Sequence, residues 1–172
     1  MTTRRALLIG ASAVVATGGL GLALVGLQGS VLREPRAPLQ VLDRPTFSTL
    51  AAAADRICPA TQDLPSAWEL QVPEGVDSYL ATLHEASAAD VVNLLRLLES
   101  GVAGLVLDGR PRPFTACSGS AQDAVLAAWR DSRIGPRKAG YKALVALVSS
   151  GYWSLPETWA HLGYPGPPRF GP

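Results

Sequence analysis

The sequence predicts an all-α fold: a bundle of about five helices, preceded by an N-terminal signal or anchor helix and closed by a C-terminal strap of proline, glycine and aromatic residues. Three observations carry this. From Pro45 onward apolar residues recur at intervals of three and four, which lays them on one side of a helix. Nothing alternates with period two over a useful length, as a half-buried strand does. Gly151 to Pro172 then gathers Tyr152, Trp153, Trp159, Tyr164 and Phe170 among prolines, which fix φ and remove backbone donors, so this tail cannot continue a helix.

At 172 residues the chain has room for one modest domain and a targeting segment. Its 48% hydrophobic content is swollen by the stretch up to Leu27. Net charge is +1, and the cations are nearly all Arg, spread along the chain. No basic block recommends a nucleic-acid partner, and no acidic block recommends a solvating tail.

Residues 1–29 form the first unit. Met1 to Arg5 is a short basic start, and Ala6 to Leu27 is uncharged and almost wholly apolar. As a helix that segment extends roughly 33 Å, enough to cross a bilayer. Arg4-Arg5 followed by Leu7 and Leu8 resembles a twin-arginine export signal, and the glycine-rich, mildly apolar core suits that class. The other reading is a plain membrane helix whose arginines keep its start inside. No clear Ala-x-Ala cleavage site follows, and Gly29-Ser30 is a weak one. Under either reading the domain after Gln28 lies outside the cytoplasm, in the periplasm or on the outer face of the membrane. Residues 30–43 read as a linker kept extended by Pro35 and Pro38.

The helical domain occupies residues 44–172. Phe47, Leu50, Ala51, Ala54 and Ile57 define one face of the first helix, and Pro59 bars its continuation. Thr61 to Pro73 is a loop, with Trp68 as a core plug or a binding ring. Val76, Tyr79, Leu80 and Leu83 mark a second helix. Ser87 with Asp90 resembles a capping box opening the longest helix, to about Val106, with Val91, Leu94, Leu95, Leu98, Val102 and Leu105 inward and Glu99 outward. Gly101 and Gly104 weaken it, or admit a close neighbour. Ser120 with Asp123 looks like the cap of a fourth helix, and Gly135-Pro136 opens a fifth that ends near Gly151. The strap beyond it has two open readings: it folds back on its own helices, or it docks on another protein.

Cys58 and Cys117 are the only cysteines. Outside the cytoplasm a disulfide between them is an expectation; two buried thiols, or one bonded to a partner, are the alternatives. His84 and His161 stand alone without metal-ligand spacing, so no metal site is expected. Gly18-Gly19-Leu20-Gly21 lies inside the apolar segment and follows no strand, so it is no phosphate loop. No Gly-x-Ser-x-Gly occurs, and no nucleophile–base pair can be assembled. Catalytic, cofactor and metal residues are therefore expected to be none.

Tyr152-Trp153, Trp159 and Gly163-Tyr164-Pro165-Gly166-Pro167-Pro168 together resemble the C-terminal signature of the gluconate 2-dehydrogenase subunit 3 family. A second block agrees: Phe47, Leu50 and Ala54-Asp55-Arg56-Ile57-Cys58-Pro59, then a loop bearing Asp63 and Pro65. The likeness covers roughly residues 45 to 168; Cys58 departs from it, where the family more often has an aliphatic residue. The resemblance implies a small accessory subunit without a cofactor of its own. Its partner would be a large FAD-dependent dehydrogenase of the glucose-methanol-choline type, carried through the twin-arginine translocase as a passenger. A cytochrome or other acceptor would take the electrons. It also implies an interface at Tyr152, Trp153, Trp159, Tyr164, Pro165, Gly166, Pro167 and Pro168, with the Thr61 to Pro73 loop beside it. Asp55-Arg56 resembles the family's acidic-basic pair, read as an ion pair that positions that loop. The alternative is a membrane-anchored helical scaffold of the envelope, unrelated to any oxidoreductase.

Overall fold

A computed structural model describes residues 29–167. Arg4, Arg5, Leu7 and Leu8 of the expected signal lie outside the described residues, as do Pro168 and Phe170. Among the described residues the fold is all-α: seven α-helices, one short 3-10 turn and no strand.

The first helix, α1 (Arg44–Ile57), is the pillar of the bundle. Asp43 caps it by accepting from the Thr46 amide at 2.9 Å, and Pro45 sits in the first turn. The sequence assigns it one buried face, yet every residue from Thr46 to Ala54 is buried. Two features allow this. Ala51 to Ala54 are small enough for neighbours to approach on all sides. Ser48 and Thr49 turn their hydroxyls back onto the carbonyls of Arg44 (2.7 Å) and Pro45 (3.0 Å), so their polar atoms are buried with partners.

Around α1 stand α2 (Val72–Leu80), α3 (Glu85–Glu99), α5 (Gly119–Arg130) and α6 (Gly135–Trp153). Phe47, Leu50, Leu80, Leu95, Leu98, Phe114, Leu144 and Val148 form the centre of the core, each 1% exposed or less. Pro73 belongs to the first turn of α2 rather than to the preceding loop. Tyr79, one of the residues that mark this helix in the sequence, points outward, at 52% exposure.

The longest expected helix is two. α3 begins at Glu85 with His84 as its cap, the imidazole Nδ1 accepting from the Ala86 amide at 3.3 Å, so Ser87 caps nothing. Ser100 then breaks the helix with ψ 114° and caps α4 (Gly101–Asp108) by accepting from the Ala103 amide at 3.1 Å. The break rotates the apolar period, so Val102 and Leu105 face out. Gly104 does admit a neighbour: the Arg110 guanidinium occupies the space a Cβ would take and donates to the Leu98 carbonyl at 3.1 Å. The 3-10 turn Phe114–Ala116 comes next, and Ser118, not Ser120, caps α5. Asp108 at the end of α4 pairs with Arg137 in the first turn of α6, both side chains 9% exposed. Helix α6 runs two residues past Gly151 to Trp153, and a single turn, α7 (Pro156–Trp159), ends the helical part.

Residues 30–43 are extended, as expected of a linker, but they are pinned to the bundle. The Val31 amide donates to Thr115 Oγ1 (3.0 Å), Arg33 to Ser48 Oγ (2.9 Å) and Arg36 to Glu74 Oε1 (3.1 Å). Asp77 accepts the amides of Gln40 (2.6 Å), Val41 (3.1 Å) and Leu42 (2.7 Å). Side-chain acceptors thus replace the ladder that a lone extended segment lacks. Among the described residues no helix is long and apolar enough to cross a membrane.

Candidate partner interface

The strap starts from a division of labour at the end of α6. Tyr152 turns inward, 2% exposed, and donates its hydroxyl to the Pro65 carbonyl at 2.7 Å. Burial raises its phenol above the ordinary tyrosine range. Trp153 turns outward, 39% exposed, with its ring edge-on to Tyr152 at 5.0 Å. Tyr152 therefore fastens the strap to the loop after α1, and Trp153 presents a surface.

Trp159 is the hub of the strap. Its indole Nε1 donates to the Trp153 carbonyl at 3.1 Å, and its carbonyl accepts the Tyr164 amide at 3.0 Å. Gly163 permits that return with φ 65°. The Tyr164 ring meets the indole edge-on, centroids 5.4 Å apart. Gly166, at φ 99°, lies against the six-membered ring of the indole, where a Cβ would come to 3.1 Å of Cζ3. Both glycines are thus required, one by the turn and one also by contact.

The two open readings of the strap divide accordingly. It folds on Trp159 rather than into the core. Leu162 (54%) and Tyr164 (46%) stay exposed, as do Pro165 and Pro167, while Trp159 and Gly166 are half-buried. The outcome is a preformed aromatic and proline face with no cover among the described residues.

The loop after α1, which receives the Tyr152 hydroxyl, is itself held in place. Trp68 is half-buried, edge-on to Phe47 at 6.3 Å, with the Arg33 and Arg36 guanidinium groups over its ring at 4.9 and 4.8 Å. Asp55 holds this assembly by pairing with Arg33 at 2.7 Å and accepting from the Trp68 amide at 3.3 Å. Asp55 does position the loop, but it does not pair with Arg56. Adjacent helical residues point apart, and Arg56 grips Asp123 of α5 through two bonds, at 2.7 and 2.8 Å.

A further feature is not marked by sequence periodicity. An apolar cleft of about 570 Å³ opens between α2, α3 and α6, with Val76, Leu94, Leu147 and Leu155 among its walls and Tyr79 at its edge. The outward turn of Tyr79 is its signal, which periodicity alone does not give.

The expected disulfide is absent: Cys58 and Cys117 are both free thiols, each half-buried. Each is engaged locally. Cys117 Sγ donates to the Pro113 carbonyl at 3.3 Å, and Cys58 lies beside the Ser149 hydroxyl of α6. Burial pushes the Cys58 thiol above its ordinary pKa, with the Ser149 contact opposing. His84 is spent as a helix cap and His161 is exposed in the strap. Among the described residues no three His, Cys, Asp or Glu side chains converge as a metal site.

Neither the curated proteins nor the solved structures include a match to this chain. The family model of gluconate 2-dehydrogenase subunit 3 matches residues 45–166, from the first turn of α1 to the glycine that lies on Trp159. The chain belongs to the gluconate 2-dehydrogenase subunit 3 family, the family of one subunit of a dehydrogenase complex.

Proposed function

We propose that this chain is a non-catalytic small subunit. It binds a large FAD-dependent dehydrogenase of the glucose-methanol-choline type, assists its maturation and carries it through the twin-arginine export route. The observation that carries the proposal is the outer face of the strap, Trp153, Leu162, Tyr164, Pro165 and Pro167, set in place by Trp159. Rigid rings and prolines that are already ordered lose little entropy on docking, so their burial goes into affinity. Family membership supports a dehydrogenase complex as the setting. Flavin and substrate specificity belong to the large subunit in this reading, and a cytochrome subunit or other acceptor takes the electrons. The complex works in the periplasm or at the outer face of the cytoplasmic membrane.

The carrier role is tested by replacing Arg4-Arg5 with Lys-Lys in cells that make both subunits. Retention of both in the cytoplasm is expected. Export of the large subunit at the normal level contradicts the role.

A further inference from the structure

We propose that α4 is a membrane-surface element, seated in the headgroup layer of a lipid bilayer beside the point where the N-terminal segment leaves it. The inference rests on the membrane-face location in the proposed function, taken with the N-terminal segment retained as an anchor.

The first support is the character of the helix. Gly101 to Leu107 carries no charge, and Val102, Leu105, Val106 and Leu107 are exposed at 37, 37, 75 and 40%. At ~100° per residue these four span an arc of roughly 200°, wider than the ~100° stripe one packed helix covers. A fluid lipid layer accepts so broad a face. The helix is also firmly built, capped by Ser100 at one end and tied by the buried Asp108–Arg137 pair at the other. Its apolar exposure is therefore a feature of a fixed element.

The second support is charge. Arg112, four residues past the end of α4, is exposed and has no ion-pair partner among the described residues, while the Arg110 guanidinium is turned back onto Gly104 and the Leu98 carbonyl. The nearby carboxylates are engaged, Asp108 by Arg137 and Glu99 by Thr115 at 2.6 Å. An apolar helix with an exposed arginine beside it suits anionic headgroups.

The third support is position. Ser30 lines a small cavity together with Gly101 and Val102. Just after it, the Val31 amide is fixed to Thr115 Oγ1 at 3.0 Å. The apolar run that begins at Ala6 ends at Leu27, before Gln28. Leu27 to Ser30 reaches at most ~11 Å even fully extended. With that run in a bilayer, α4 lies at the bilayer surface. Val31 and Leu32, on the chain leading away from Ser30, are also exposed, at 56 and 44%.

The test uses the full chain in vesicles of phosphatidylcholine and phosphatidylglycerol, with or without bromine on the acyl chains. Val106→Trp places a reporter at a residue that is 75% exposed, and Tyr79→Trp, at 52% exposure on α2, is the control. Emission is read as the difference from the unsubstituted chain. The expected result is a blue-shifted reporter at position 106, quenched about twofold by brominated lipid, as for a ring ~5–10 Å into the headgroup boundary. The control is expected to show no such quenching. Absence of quenching at 106 overturns the inference. So does a reporter shielded from aqueous iodide yet blind to brominated lipid, which means protein covers α4, either the N-terminal segment or a partner. Flavoprotein binding is scored separately on the same chain, made with the large subunit. Binding without quenching overturns this inference alone, and quenching without binding overturns the proposed partner alone.

Discussion

Trp159 and Tyr164 meet edge-on, their ring centroids 5.4 Å apart at an interplanar angle of 75°, while the Trp159 carbonyl holds the Tyr164 amide at 3.0 Å. One residue thus fixes both the backbone and the ring of the other. That double hold lets a segment full of glycine and proline keep a defined outer face.

Tyr164→Ala removes part of this face without reaching the core. An aromatic pair contributes ~0.5–1.5 kcal/mol beyond its area, and here that is confined to the strap. The melting temperature of the isolated chain is expected to stay the same, while affinity for the large subunit falls at least ~10-fold, as at an interface hot spot. Recovery of the variant with a full complement of large subunit contradicts the docking role.

Tyr152→Phe probes the other half of the division. The lost hydroxyl leaves the Pro65 carbonyl without its donor, 87 residues earlier in the chain. A destabilisation of about 1 kcal/mol is expected, read as a lowered urea midpoint. An unchanged midpoint means that the bond contributes nothing to holding the strap root.

Asp108→Ala tests the buried pair that ties α4 to α6. Removing the carboxylate leaves the Arg137 guanidinium buried without its counter-charge, with only the Trp129 ring at 5.6 Å beneath it. A loss of about 3–5 kcal/mol is expected by equilibrium unfolding. The double variant Asp108→Ala/Arg137→Met is expected to regain much of that loss. Failure to regain any points to packing, not charge, as the cause.

Much of this architecture was legible in the sequence, and the exceptions have definite causes. The all-α class, α1, the strap and the proline-opened helices come from periodicity and proline placement. The break at Ser100 was hidden because apolar spacing runs on across it, although Ser100-Gly101 is itself a cap signal. The all-round burial of α1 was hidden because alanine, serine and threonine carry little hydropathy contrast. The pinning of residues 30–43 depends on Asp77 and Ser48, which are distant in sequence and carry no local mark. In the strap, aromatic content marked the region, but only the structure separates Tyr152, facing inward, from Trp153, facing outward.

Asp43 links α1 to pH. The Thr46 hydroxyl bond is the main cause that holds its carboxyl below the ordinary value; burial opposes, and the Thr46 amide and Arg96 assist. A lowered folded-state pKa gives stabilisation that is complete above the unfolded-state value and is lost as pH falls through the folded one. Asp43→Ala is expected to cost about 1 kcal/mol near neutral pH, and the unfolding curves of variant and parent are expected to converge in acid. A gap that persists in acid contradicts the charge-linked part of the cap.

Thiol titration checks the cysteines. Under denaturing, non-reducing conditions the full chain is expected to show two reactive thiols, Cys58 and Cys117. In the folded protein Cys58 is expected to alkylate more slowly than a free cysteine at mildly alkaline pH, since burial raises its pKa. A titre near zero contradicts the free-thiol state.

The most direct test of the accessory-subunit account is to pull the tagged full chain from envelope extract in gentle detergent and record the absorbance of the eluate. The account predicts a flavin spectrum with one larger stoichiometric band, both lost in Tyr164→Ala. A lone, colourless chain contradicts it and favours an anchored helical scaffold.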